Sequence, residues 1–291
     1  MNLYAASLLP VDFTLGALLA VLLVAAAAVA ACFHLAPRPG PGGSRQILTA
    51  GIRAALQLAA VSLAIAWVVR SPVATSAFLI LMFAVAVRTA GRRITSDRTW
   101  WTTAVSIAAG VAPVFVALLA TGLVPFKGIA LIPITGILIG GALTATVLAG
   151  RRALDELSQR HGEVEAGIAL GLPSRDARLE IARPAASDAL LPGLDQTRTV
   201  GLVTLPGAFV GMLLGGASPV MAGAVQLFVL IALIAVQAVS VAVTVELVAR
   251  GRLHRPSARP EAMAAPSADW RSRRGRITAG VRLFQQRTWR H

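Results

Sequence analysis

Residues 199–245 read TVGLVTLPGAFVGMLLGGASPVMAGAVQLFVLIALIAVQAVSVAVTV, and no charged side chain interrupts them between Arg198 and Glu246. A helix needs about 20 apolar residues to cross about 30 Å of hydrocarbon, so the run is long enough for two crossings. The turn-forming Gly215-Gly216-Ala217-Ser218-Pro219 divides it, giving spans over 199–216 and 220–245. The apolar character is continuous rather than alternating, which fits helices and not the strands of a barrel.

Working outward toward the N-terminus, the same reading gives spans over 13–33, 51–69, 73–90, 102–122 and 129–149. The seams carry Pro37-Arg38-Pro39-Gly40-Pro41-Gly42-Gly43, Ser71-Pro72 and Thr121-Gly122 through Lys127-Gly128. The expected fold is an all-α integral membrane protein with about seven transmembrane helices. Composition agrees. The 291 residues are 56% hydrophobic and 14% charged, with mean hydropathy +0.72, whereas soluble domains carry about a quarter charged residues. The expected organisation is a transmembrane permease domain over 1–250, with a cytoplasmic loop over 151–198, and a basic, partly disordered tail over 251–291.

Charge in the connections sets an orientation. Arg38, Arg45 and Arg53 follow span one, Arg88, Arg92, Arg93 and Arg98 follow span three, Arg151 and Arg152 follow span five, and Arg250, Arg252 and Arg255 follow span seven. The alternate connections hold only Arg70, only Lys127, and no basic residue. Basic loops stay inside, so the expectation is a multi-pass protein of the inner (plasma) membrane, N-terminus outside and C-terminus cytoplasmic. Val29-Ala30-Ala31-Cys32 fits a bacterial lipobox. The N-terminal region, however, carries Asp12 without a positive charge, and the apolar run exceeds a signal peptide's. The single cysteine, Cys32, rules out an intrachain disulfide and a thiolate metal cluster.

The loop over 151–198 holds 8 of the chain's 13 acidic residues beside 7 arginines, a balance suited to docking a protein. Arg151 to Gly162 reads as a helical extension of span five and Ser174 to Ala189 as a second helix ended by Leu191-Pro192-Gly193. Between them stand Glu165-Ala166-Gly167-Ile168-Ala169-Leu170-Gly171, and nine residues later Ile181-Ala182-Arg183-Pro184. Small residues at 166, 167 and 169 let a helix lie flat against a partner, and Gly171 with Leu172-Pro173 stops it.

Other chemistry is sparse. The only lysine is Lys127, so no G-x4-G-K-[ST] phosphate loop exists and the chain is not its own ATPase. His34, His161, His254 and His291 are scattered, no catalytic cluster appears, and Glu246 is the one carboxylate read within a span, at its cytoplasmic end. The chain is not expected to be an enzyme. Gly136-x3-Gly140 and Gly207-x3-Gly211-x3-Gly215 permit close helix approach, within one subunit or between two. Gln57, Thr135 and Gln226 are polar within spans, and Met82, Met212 and Met221 are soft donors that also serve as ordinary packing. In the tail, ten arginines face Glu261 and Asp269, and Trp270, Ile277, Val281 and Phe284 recur among them. That pattern suits contact with anionic lipid, or a solvated charge that sets topology. No nucleic-acid recognition motif accompanies the charge, so no nucleic acid is expected.

The segment from Glu165 to Pro184 resembles the EAA loop of ABC-transporter permeases, in which a short coupling helix docks into an ATP-binding subunit. More narrowly, Arg53-Ala54-Ala55-Leu56-Gln57-Leu58, Pro133-Ile134-Thr135-Gly136, and Ala189-Leu190-Leu191-Pro192 with Asp195 and Arg198-Thr199 through Pro206-Gly207 resemble the FetB-type iron-export permeases. The likeness spans roughly 13–250. The resemblance implies a homodimeric membrane subunit with no cofactor of its own, paired with an ABC ATPase that carries ATP and Mg, and exporting iron or another metal. It implies coupling through Glu165, Ala166, Gly167, Gly171 and Leu172. It places a translocation path near Arg53, Gln57, Thr135, Met212 and Gln226. Two positions depart from that pattern: Gly141 stands where Asn is common, and Ala208-Phe209 where a Met pair is common. The alternatives are an ABC permease for a non-metal substrate and an ATP-independent channel or secondary transporter.

Overall fold

The computed structural model describes residues 12–35, 42–122 and 128–256. Lys127, residues 37–41 of the first seam, and the tail residues Trp270, Ile277, Val281 and Phe284 lie outside the described residues. The described chain is helical, and six of its helices are long and apolar enough to cross a membrane. These are α1 (Phe13–Cys32), α2 (Gly43–Val68), α3 (Pro72–Ile94), a 3₁₀ turn from Arg98 running into α4 (Thr103–Ala120), α5 (Gly128–Gln159) and a last helix over Pro219–Ala249.

Local chemistry sets the starts. The Asp12 carboxylate accepts from the Leu15 N–H at 3.1 Å and caps α1. The last long helix opens on Ser218, whose hydroxyl accepts from the Met221 N–H at 3.3 Å, followed by Pro219 where a missing N–H costs nothing. As expected from Arg151 to Gly162, α5 runs well past the apolar part of its sequence.

The chain divides into two compact units. The described residues up to 78, with 128–132, form the first. There α1 pairs with α2, Gly51 admits the Leu23 side chain, and the Thr75 hydroxyl donates to the Val68 carbonyl at 3.0 Å. The described residues 79–122 with 133–256 form the second, so α3 and α5 contribute to both units, α5 changing over at Pro133.

In the second unit the core gathers on the last long helix. Ile107, Leu138, Ala142 and Val236 are buried in one cluster, and Ala149, Ala153, Leu179, Ala182, Val245 and Val248 in another. The many alanines and glycines let backbones approach closely, which is how helices pack where apolar side chains gain nothing over lipid.

The polar loop folds into further helices: α6 (His161–Ala169), α7 (Ser174–Ser187), a 3₁₀ turn over Asp188–Leu190, α8 (Leu191–Thr199) and α9 (Gly207–Leu214), leading to α10 (Pro219–Ala249). Two expectations are corrected here. Leu191-Pro192-Gly193 does not end the loop helices but opens α8, with Pro192 in its first turn. Span six over 199–216 is not a continuous helix. Its helical part is α9, whose 8 residues rise about 12 Å, too short to cross.

The segment runs beside α10 in pieces instead. Gly193 of α8 sits against the Gln237 side chain of α10, while Val200 and Gly201 lie beside Gln226, Leu227 and Leu230. So α8 climbs antiparallel along α10, the backbone unwinds over Val200–Pro206, and α9 follows. The break has local causes. Gly201 takes a φ of +81°, the Thr199 carbonyl accepts from the N–H groups of Leu202, Val203 and Thr204, and Pro206 disfavours helix at Leu205.

Candidate functional site: a docking hairpin and a broken crossing

At the polar end, α6 and α7 form a tight hairpin. Gly171 at φ +95° turns the chain after α6, and Leu172 N–H donates back to the Gly167 carbonyl at 3.1 Å. A Cβ on Gly167 would stand 3.3 Å from the Ala177 Cβ and 3.4 Å from a Leu172 methyl, so this glycine lies on the face turned to α7. Val164, Ala177 and Ile181 are buried between the two helices. Arg160 anchors the hairpin's start. Its guanidinium donates to Glu163 at 2.6 Å and to Glu156 at 3.3 Å, and holds the Glu163 carboxyl below its ordinary value. The outer face is apolar at its tip: Leu170 is 86% exposed, and Ile168 and Leu172 nearly half exposed.

The hairpin is fastened to α10. Arg175 donates from Nε and Nη2 to the two oxygens of Glu246 at 2.7 Å each, and Arg250 donates to the same carboxylate at 2.5 Å. Arg178 reaches the Ala249 carbonyl at 3.5 Å. Arg152 pairs with Asp188, and Arg255 with Asp155. Glu246 is therefore a joint at the helix end.

At the other end of α8, a cavity of about 200 Å³ is lined by Val200, Gly201, Leu205, Pro206, Phe209 and Gln226. Gln226 is 5% exposed, and its Oε1 has no hydrogen-bond partner. Thr135 is buried on α5 with its hydroxyl also unpartnered, and Met212 is half-buried on α9. Arg53 and Gln57 are exposed on α2, in the first unit. Of the packing glycines, Gly136 would meet Met82 at 3.0 Å, Gly215 faces its own helix's carbonyls, and Gly140, Gly207 and Gly211 meet nothing within 4 Å.

The sequence places Asp195 and Arg198 in the motif loop that carries the resemblance; the structure places them on a helix. Asp195 and Arg198, on α8, pair at 3.4 Å beyond the point where Gly193 touches Gln237. Glu246 is thus not the only carboxylate at the level of the membrane helices. A charged residue four places before an apolar run looks like loop, and only the packing of α8 along α10 shows otherwise. Among the described residues no group of three or more His, Cys, Asp or Glu side chains could hold a metal ion.

Replacing Gly167 by leucine is expected to push α6 off α7. If the hairpin docks on a separate ATPase, transport-coupled ATP hydrolysis in proteoliposomes should fall several-fold while the protein still inserts and purifies; unchanged coupling would remove the hairpin from that docking.

Six long apolar helices define a polytopic α-helical membrane protein. Comparison with known proteins agrees: residues 16–252 match the uncharacterised protein family UPF0014, and the chain belongs to that family. It is 33% identical to the UPF0014 membrane protein STAR2 of rice (Oryza sativa subsp. japonica) over 232 residues, 79% of this chain and 81% of the relative. It is 37% identical to ALUMINUM SENSITIVE 3 of Arabidopsis thaliana over 152 residues, 52% and 56%. It is 30% identical to the probable iron export permease protein FetB of Escherichia coli (strain K12) over 141 residues, 47% and 52%. The chain thus spans about half the length of the latter two. No solved structure matches it.

Proposed function

We propose that this chain is the membrane-spanning permease subunit of an ABC exporter for iron or another metal ion, working as a homodimer with a separate ATP-binding subunit. The observation that carries the reading is the α6–α7 hairpin. It is compact, apolar at its tip, stopped by Gly171, and fastened by Arg175 and Glu246 to the helix that also lines the broken crossing. A free-standing loop would need no such fastening. Glu165 and Ala166 then face the ATPase, Gly167 and Gly171 shape the hairpin, and Leu172 with Leu170 fills a pocket on the partner. The metal reading is supported by the name of the Escherichia coli relative.

Seven crossings, the sixth of them broken, keep the arginine-rich connections on one side. This supports an N-terminus outside and the hairpin in the cytoplasm, where ATP is. The glycines of α9, open on this chain, suit contact with the second copy.

The test is co-purification with the Walker-A ATPase encoded beside the gene, then hydrolysis in liposomes with and without Fe(II). A stable complex with iron-stimulated hydrolysis is expected. A complex indifferent to iron would keep the permease and discard the cargo, and no complex would overturn the ABC reading.

A further inference from the structure

The last helix, α10, ends in a turn that folds the chain back on it. Gly251 takes a φ of +68°, and its N–H donates to the Val248 carbonyl at 2.9 Å. The Arg252 N–H donates to the Leu247 carbonyl at 2.9 Å. This is the Schellman pattern, which brings the residue after the glycine back over the last helical turn. Arg252 therefore stays beside Leu247 instead of leading away from the helix. Together with Ala242, Val243, Glu246, Leu247 and Arg250 it lines a cavity of about 340 Å³.

The lining changes character along its length. Ala242, Val243, Glu246, Leu247 and Arg250 fall on one stripe of the helix. From Ala242 to Arg250 the stripe rises about 12 Å. Its inner end belongs to the uncharged run from Pro219 to Val245, and its outer end carries two guanidiniums. An apolar floor under a cationic rim, placed at the edge of the apolar layer, stands at the level of phospholipid headgroups.

The charges at the rim do not cancel. Arg175 and Arg250 share Glu246, and Arg175 also reaches Asp176. Arg252 is exposed and pairs with no acid among the described residues. Three arginines against two carboxylates leave one positive charge, which matches one phosphodiester. Among the described residues Arg250 gives only its Nε to Glu246, so its Nη groups remain for a second anion. A soluble phosphate would leave the exposed Ala242 end of the floor wet, and an uncharged lipid would leave the rim unmatched.

We infer that this groove binds one anionic phospholipid, its phosphodiester between Arg250 and Arg252 and the first methylenes of an acyl chain on Ala242, Val243 and Leu247. The site goes beyond the permease reading and needs no ATPase to exist. Glu246 lines the groove and also receives Arg175, so a bound headgroup holds Arg250 beside the joint between α10 and α7.

The test is native mass spectrometry of the full chain in mild detergent, titrated with phosphatidylglycerol or phosphatidylcholine. One phosphatidylglycerol is expected to bind about fivefold or more tighter than phosphatidylcholine. Arg252→Gln should erase most of that preference, and Arg252→Lys should keep much of it. Both should fold, since the bond to Leu247 comes from the backbone; the melting temperature checks this. Ala242→Phe, which fills the floor, should weaken both lipids. Arg45→Gln removes an equal charge from an exposed position in the first unit and should change nothing. Equal binding of the two lipids overturns the proposal. So does equal loss of preference in Arg45→Gln and Arg252→Gln, which would reduce it to general surface charge. Displacement of the lipid by millimolar glycerol phosphate would overturn it in favour of a soluble phosphate ester. A dimer lost in Arg252→Gln with lipid binding unaltered would overturn it in favour of a second copy of the chain.

Discussion

Gly110→Val is expected to destabilise the second unit by about 3 kcal/mol, although replacing a glycine inside a helix ordinarily stabilises it by up to about 1 kcal/mol. The sign reverses because of what Gly110 touches. A Cβ there would stand 2.3 Å from the Ser240 hydroxyl and 2.6 Å from the Val236 carbonyl oxygen. The hydroxyl could rotate away, but the carbonyl belongs to the backbone of α10 and cannot move without the helix. Ile107 and Val236 are fully buried in this contact, so α4 and α10 would have to separate along the seam that organises the core. Expected readouts are a fall in the apparent Tm of detergent-purified protein and loss of the monodisperse peak. Gly140→Val is the control: nothing lies within 4 Å of that position in this chain, so it should leave the isolated chain's Tm nearly unchanged. Equal Tm values for the two variants would show that the seam tolerates a side chain and that the close approach at Gly110 is not what holds the helices.

How much of this was legible beforehand depends on which force decides each feature. The long helices follow from apolar length alone, because hydrocarbon leaves the backbone no other partner. The stop at Gly171 follows from glycine's freedom at positive φ, and the helix over Ser174–Ser187 nearly matches its expected range. Span six fails for an informative reason. Its apolar length is sufficient, but the Thr199 carbonyl draws three N–H groups into a turn, and Pro206 closes off helix on the far side. Hydropathy counts side chains and cannot see a backbone that satisfies itself within a loop. Placing a span at 199 left the motif residues Asp195 and Arg198 in a loop, whereas they lie on α8, which packs along α10. The fastening of Arg175 to Glu246 joins residues 71 positions apart, and no local pattern announces it.

That fastening carries the second large effect. On the proposed ABC reading, Arg175→Gln and Glu246→Gln should each lower transport-coupled ATP hydrolysis about tenfold, and the double variant should be little worse than either single. The pair is half-exposed, at 45% and 31%, so screening by water leaves it worth no more than about 1 kcal/mol of stability. Both variants should therefore fold, insert and keep their Tm. What they lose is stiffness between two helices. Beyond the ion pair, the hydrogen bond seen among the described residues from the N-terminal turn of α7 to α10 is the long one from Arg178 to the Ala249 carbonyl. Arg175 grips both carboxylate oxygens at 2.7 Å, a geometry that resists sliding as well as separation. Displacement of the hairpin is then passed to α10, and along it to Gln237 against Gly193 and to Gln226 at the break. Because the two residues act through one joint, their effects should not add, and a double-mutant cycle measures this directly. Basal ATPase activity of the proposed complex should survive, since both residues are engaged within this chain. Additive losses would mean that Arg175 and Glu246 act separately and that motion reaches α10 by another route, through the buried contacts of Leu179, Ala182 and Ala186 with Val241, Val245 and Val248.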